Sequence, residues 1–172
     1  MSFIDTVIEK AKKNKQTIAI PEYTNEYMMK AAAKANADQI ANILFVGDSE
    51  EIKKSAEKFG VDISGIEIAD INDEAYKEDL LNRYDAMPEK VMPKKFIEKR
   101  IKDSLYLATL IEAVGDVDGT LAGVDTTTYE FVLAANSIIG MDPGCPTASG
   151  LLVMEIDGFE GKQGNVFGCS DG

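Results

Sequence analysis

Asn42-Ile43-Leu44-Phe45-Val46-Gly47-Asp48-Ser49-Glu50-Glu51-Ile52 is the stretch that decides the fold class. Its four consecutive apolar residues, Ile43 to Val46, suit a strand buried on both faces. Gly47 turns the chain, and Asp48 followed by Glu51 gives a capping-box-like start to a helix that ends near Gly60. Upstream, Gln16 to Ile20 is a second short apolar run closed by Pro21, with Thr24 placed to cap a helix through Asn36. Downstream, Ile66, Ile68 and Ile71 alternate with polar residues as a third strand, and Asn72 or Asp73 caps a helix through about Tyr84. Strand, loop and helix recur in that order, which predicts a parallel sheet covered by helices.

The flanks extend the pattern. Phe3, Ile4, Val7, Ile8 and Ala11 fall at helical spacing behind Ser2 as N-cap, with Lys10, Lys12, Lys13 and Lys15 gathered toward the C-terminal end, where cations suit the helix dipole. Pro88 and Pro93 bracket a loop before one long helix predicted over Lys94 to Val114. Gly115 to Gly123 reads as a turn and a short buried strand, and Thr126 or Thr127 caps a helix through about Ile139. Ala148 to Ile156 is an apolar strand, followed by a hairpin-like loop, Gly158 to Gly164, into Asn165 to Cys169. The chain reaches Gly172 directly after a strand, so the sheet is expected to be completed by a further helical segment or by another chain.

Composition narrows the chemistry. A chain of 172 residues with 45% hydrophobic and 28% charged residues can build a core, which argues against disorder. Eighteen Lys and Arg stand against 30 Asp and Glu, a formal charge of -12 that repels a phosphate backbone, so nucleic acid is not an expected partner. There is no histidine, which removes imidazole catalysis and His-ligated metal. Arg83 and Arg100 are the only arginines. Cys145 and Cys169 are too few for a disulfide framework or a four-cysteine zinc site, and neither has a histidine to activate it, so both are expected as reduced thiols. No signal-peptide h-region or run of about 18 to 20 apolar residues is present, predicting a cytoplasmic protein that does not span a membrane.

In open parallel sheets, ligands bind beyond the carboxyl ends of strands, where helix N-termini face anions. The loops after Ile20, Val46, Leu121 and Phe167 are the candidates. Gly123-Val124-Asp125-Thr126-Thr127-Thr128 offers a glycine for close backbone approach, together with hydroxyls and free N–H groups suited to a phosphate; the same threonines would also serve simply as helix caps. Glu22, Asp116, Asp118, Asp125 and Asp171 could act as general bases or hard oxygen ligands, or stand as solvated loop residues, and their spacing matches no metal loop. Tyr84, Tyr106 and Tyr129 read as half-buried packing residues, and Met28 and Met29 as core fillers. No P-loop or G-x-G-x-x-G occurs.

The order of motifs resembles the phosphate acetyltransferase and phosphate butyryltransferase family, the phosphotransacetylases. It is carried by Ile20-Pro21-Glu22, by Asn42 to Gly47 with Glu50-Glu51-Ile52, by Val61 to Ile68, and above all by Gly115-Asp116-Val117-Asp118-Gly119 through Ala122-Gly123 and Thr127-Thr128. Asp142-Pro143-Gly144 and Val166 to Asp171 continue it. The resemblance implies a three-layer α-β-α fold with a mainly parallel sheet, isocitrate/isopropylmalate dehydrogenase-like and incomplete at the C-terminal end. Residues 1–145 would form most of one domain and 146–172 the start of a second.

The implied activity is reversible transfer of an acetyl or butyryl group between coenzyme A and inorganic phosphate. CoA is then a substrate, with no bound cofactor and no metal, and the partner is a second copy or a complementing second chain. The implied substrate-binding residues are Gly123, Thr126, Thr127, Thr128 and Asp118, with Asp171 as the catalytic carboxylate. Family arginines align with Ala86 or Met87 and with Leu133, and the family histidine with Thr126. A non-catalytic ligand-binding or protein-interaction domain descended from the same family is the alternative.

Overall fold

The strand Asn42–Gly47 (β2) lies at the centre of a four-stranded parallel sheet, flanked by Thr17–Ile20 (β1) and Glu67–Asp70 (β3). A short fourth strand, Gly119–Thr120 (β4), pairs in parallel with the other side of β1, giving the order β3-β2-β1-β4. The computed structural model describes residues 2–145, 147–159, 161 and 164–171, and for Asp171 the backbone alone.

Alternation along β2 accounts for the layers. Leu44 and Val46 enter one core with Ala19, Leu80, Tyr84, Leu107, Leu110 and Ile111, whereas Ile43 and Phe45 enter another with Ile20, Met29 and Ile52. The first core is roofed by helices Glu74–Asp85 (α4), Lys94–Glu98 (α5), Ser104–Ala113 (α6) and Thr128–Ile138 (α7); the second by Glu26–Ala37 (α2) and Ser49–Phe59 (α3). Phe45 and Val46 are fully buried, so truncating Phe45 to Ala should cost about 3 to 5 kcal/mol. This is the expected three-layer arrangement with a parallel sheet.

The chain divides into two compact units, one spanning Lys15–Gly140, the other combining the opening residues through Asn14 with those from Met141 onward. In the second unit, helix Phe3–Lys13 (α1) carries the predicted Ser2 cap as a full capping box, and strands Gly150–Glu155 (β5) and Val166–Asp171 (β6) form an antiparallel hairpin. The Glu155 carboxylate accepts N–H groups of Phe3 and Ile4 at 3.1 and 3.2 Å, tying β5 to the start of α1. Phe167 therefore sits inside a hairpin strand, not at the end of a parallel one.

Several boundaries differ from the sequence reading. The long helix expected over Lys94 to Val114 is two helices, because Asp103 turns its carboxylate onto the Leu105 and Tyr106 N–H groups and starts α6 afresh. Asn25, not Thr24, caps α2, accepting from Tyr27 and Met28. After Thr120 the strand stops: Leu121 is 53% exposed, since Gly123 at φ +123° bends the chain away from the sheet. Tyr129 is exposed instead of packed. Tyr84 is fully buried; its hydroxyl donates to the Ile138 carbonyl and accepts N–H groups of Val91 and Met92, pinning the Pro88 to Pro93 loop.

Candidate functional site

Strands β1, β2 and β3 are laid down in one direction across the sheet, and β4 returns to the far side of β1. The reversal makes the gap beyond the carboxyl ends of β1 and β4 the topological switch point, where such sheets hold ligands. The N-termini of α2, α6 and α7 converge there. Pro21, Glu22, Ser104, Leu105 and Thr126 are among the residues lining a cleft of about 250 Å³ at this point.

The centre of the switch point is Glu22. The residue is 6% exposed, and its carboxylate accepts the N–H groups of Gly123, Val124, Asp125 and Thr126 at 2.7 to 3.1 Å. Burial alone would raise its pKa, but the Val124 N–H, the Thr126 hydroxyl and the neighbouring amides outweigh that effect and lower it from the ordinary 4.5 to about 2. The amide cradle read from the Gly123 run is thus present, and the anion in it is the protein's own. Asn25 adds a second stitch, donating through Nδ2 to Asp125 at 3.0 Å.

The threonines have separate fates. Thr126 gives its N–H to Glu22. Thr127 caps α7 in a capping box, its N–H and hydroxyl both donating to Glu130, which lowers the Glu130 pKa. Thr128 opens α7. Gly123 and these three residues therefore gather at one edge of the sheet. Asp118 does not join them: it stands at the amino end of β4, where it accepts the Thr17 N–H at 2.8 Å and fixes the pairing of β1 with β4. Asp171 lies in β6, its backbone paired with Gly150; its side chain lies outside the described residues.

Beside the switch point, Tyr23 lies over Gly47 and donates its hydroxyl to Glu51 at 3.0 Å, with burial and then the Glu51 bond raising its pKa. The cations lie elsewhere. Arg83 forms a bidentate pair with Asp116, which holds its pKa above the usual arginine range, and Arg100 rests on the Tyr106 ring while donating to its hydroxyl at 3.0 Å. Ala86 caps the C-terminus of α4, and Leu133 is an exposed residue of α7. Among the described residues, no group of three His, Cys, Asp or Glu side chains is placed to hold a metal, and no helix is long and apolar enough to cross a membrane.

Fold and crevice together define an open-sheet α/β protein whose switch point is closed by an internal carboxylate. The sequence matches the phosphate acetyl/butaryl transferase family over residues 2–169, and the chain belongs to that family. It is 31% identical over 172 residues to phosphate acetyltransferase of Thermoanaerobacterium thermosaccharolyticum, covering 99% of this chain and 52% of that protein. It is 33% identical over 160 residues to the Clostridium acetobutylicum enzyme of the same name, covering 91% and 47%. The fold matches the EutD phosphotransacetylase from Staphylococcus aureus at a TM-score of 0.77 with 22% identity, over 91% of this chain and 47% of that one. A phosphotransacetylase from Streptococcus pyogenes gives 0.74, also at 22%. The chain spans about half the length of the curated relatives it matches.

Proposed function

We propose that this chain forms part of a phosphotransacetylase-like acyltransferase that moves an acetyl or butyryl group between coenzyme A and inorganic phosphate. The observation that carries the reading is the family match over residues 2–169. In this reading CoA is a substrate, no cofactor or metal is used, and the protein works in the cytoplasm as a homodimer or with a complementing second chain. In this reading residues 1–145 contribute one domain and 146–172 open the next; the end of the compact unit Lys15–Gly140 supports the boundary near residue 145, while the opening residues through Asn14 group with the second unit. Gly123, Thr126, Thr127 and Thr128 shape one wall of the substrate region, and Asp171 is assigned the carboxylate role that the family resemblance gives it.

Transfer requires a phosphate oxygen near the thioester carbonyl, stabilisation of the oxyanion, and help for the departing thiolate. Both arginines here are already engaged, and among the described residues no Lys or Arg lines the clefts at the switch point, so this reading takes the cations for that work from outside the region described. The test is to co-express the chain with a polypeptide supplying the remaining half of a relative's length, then follow acyl-CoA formation from acetyl phosphate and CoA by thioester absorbance. Turnover by the complex, absent from either part alone, is the expected result; a stable complex without turnover eliminates the reading.

One observation favours a second reading, a non-catalytic descendant. Asp103, Asp125 and Glu130 line the clefts at the switch point, and among the described residues no Lys or Arg lines them. That reading predicts thermal stabilisation by a ligand with no acyl transfer.

A further inference from the structure

Four successive backbone N–H groups, from Gly123 to Thr126, converge on one point beyond the carboxyl ends of β1 and β4. A backbone nest of this kind receives any small oxyanion, whether carboxylate, sulfate or phosphate. Its occupant is a side chain more than nine-tenths buried, and among the described residues no Lys or Arg forms a salt bridge with it. The charge of Glu22 is therefore met by peptide dipoles and the Thr126 hydroxyl, the same groups that would meet a bound ion.

The surroundings point the same way. A free anion approaching the nest meets the carboxylates of Asp103, Asp125 and Glu130, and among the described residues no ammonium or guanidinium lines the clefts to offset them. Glu22 sits 101 residues from Gly123 in sequence, so only the return of β4 to the side of β1 brings the two together.

We propose that Glu22 is a built-in replacement for a bound oxyanion: its carboxylate occupies the switch-point nest and excludes inorganic phosphate and phosphate-bearing substrates from it. The inference depends on the proposed acyl transfer only for which ion matters. It places the phosphate of that reaction on other groups, and it makes Glu22 a positioning residue that holds the Gly123 to Thr126 loop and the start of α7. Removing the side chain leaves four N–H donors and room for a small carboxylate, so a freely diffusing ion should substitute for the missing one.

The experiment compares wild-type chain with Glu22→Gly, adding sodium acetate, inorganic phosphate or, at matched ionic strength, sodium chloride. Thermal midpoints and the ¹⁵N–¹H shifts of residues 123 to 126 are recorded. In wild type, phosphate leaves those four amides unmoved beyond the chloride control. In Glu22→Gly, acetate and phosphate raise the midpoint and move the four amides saturably, whereas chloride does neither. A folded Glu22→Gly that ignores acetate and phosphate overturns the proposal, as does saturable movement of the wild-type amides with phosphate.

If Glu22→Gly is unfolded in chloride, recovery of a dispersed spectrum in acetate supports the proposal, and the wild-type titration stands as an independent arm. These readouts do not involve turnover. A failed acyl-transfer assay with silent wild-type amides rejects the enzyme reading and leaves this one intact, while an active complex whose amides respond to phosphate does the reverse.

Discussion

Gly47 closes β2 where the Tyr23 ring crosses it, and adding a single methyl group there tests the packing beside the switch point. A Cβ built on Gly47 falls 2.0 Å from Tyr23 Cε1, 2.7 Å from Cδ1 and 2.8 Å from Cζ, all well inside contact distance. Tyr23 is buried and its hydroxyl is held by Glu51, so the far end of the ring is not free to yield. Either the ring leaves, losing its burial and its hydrogen bond, or the end of β2 shifts and weakens the bond from the Ile71 N–H to the Gly47 carbonyl at 3.0 Å. Overpacking of this kind costs about 1 to 3 kcal/mol, and full loss of a buried aromatic about 3 to 5, so Gly47→Ala should destabilise by roughly 3 kcal/mol. At about 2 to 4 °C per kcal/mol for a chain of this size, the thermal midpoint by circular dichroism should fall by roughly 6 to 12 °C.

A double-mutant cycle separates this clash from other costs of the substitution. With the ring removed by Tyr23→Ala, the added methyl has nothing to strike, and Gly47→Ala should then cost only the strain of a side chain at φ +159°, about 1 kcal/mol. The coupling is thus about 2 kcal/mol. Equal cost in the two backgrounds would refute the contact as the reason Gly47 is a glycine.

The other predictions follow from single contacts. Glu22→Gln should remove the stabilisation that arises because the folded carboxylate titrates at about 2 and the unfolded one near 4.5, roughly 3 kcal/mol at about 1.4 kcal/mol per pKa unit. Because the folded value is the lower one, that stabilisation is present above pH 4.5 and lost as pH falls toward 2; denaturant melts should show wild type and variant converging over that interval and differing at pH 7. Asp103→Ala should lower stability by about 1 kcal/mol and delay amide-exchange protection at Leu105 and Tyr106, since it removes the cap that starts α6. Tyr84→Phe should cost about 1 to 3 kcal/mol and raise amide exchange at Val91 and Met92, whose N–H groups lose their acceptor.

The apolar run at Ile43 to Val46 and the caps at Ser2 and Asp48, with Asp73 as one of two candidates for the third, were legible because each is a local signal: a doubly buried strand has no polar face, and a cap acts within three residues of itself. The break at Asp103 was also local, but the apolar spacing from Phe96 to Ile111 continues through it and hides it. The Gly123 run was legible as an amide cradle; its occupant was not. Nothing near Glu22 in sequence distinguishes it from any other glutamate after a strand, and its partners become neighbours only once the order β3-β2-β1-β4 is known. Asp118 misleads for the same reason, because a carboxylate before a strand and one after it stand at opposite edges of a parallel sheet.

A carboxyl-¹³C titration of Glu22 in the folded chain addresses the closed switch point most directly. A midpoint near 2, with the amides of 123 to 126 moving in step, is the predicted outcome. A midpoint at 4.5 or above, with those amides silent, would mean that the carboxylate does not fill the nest.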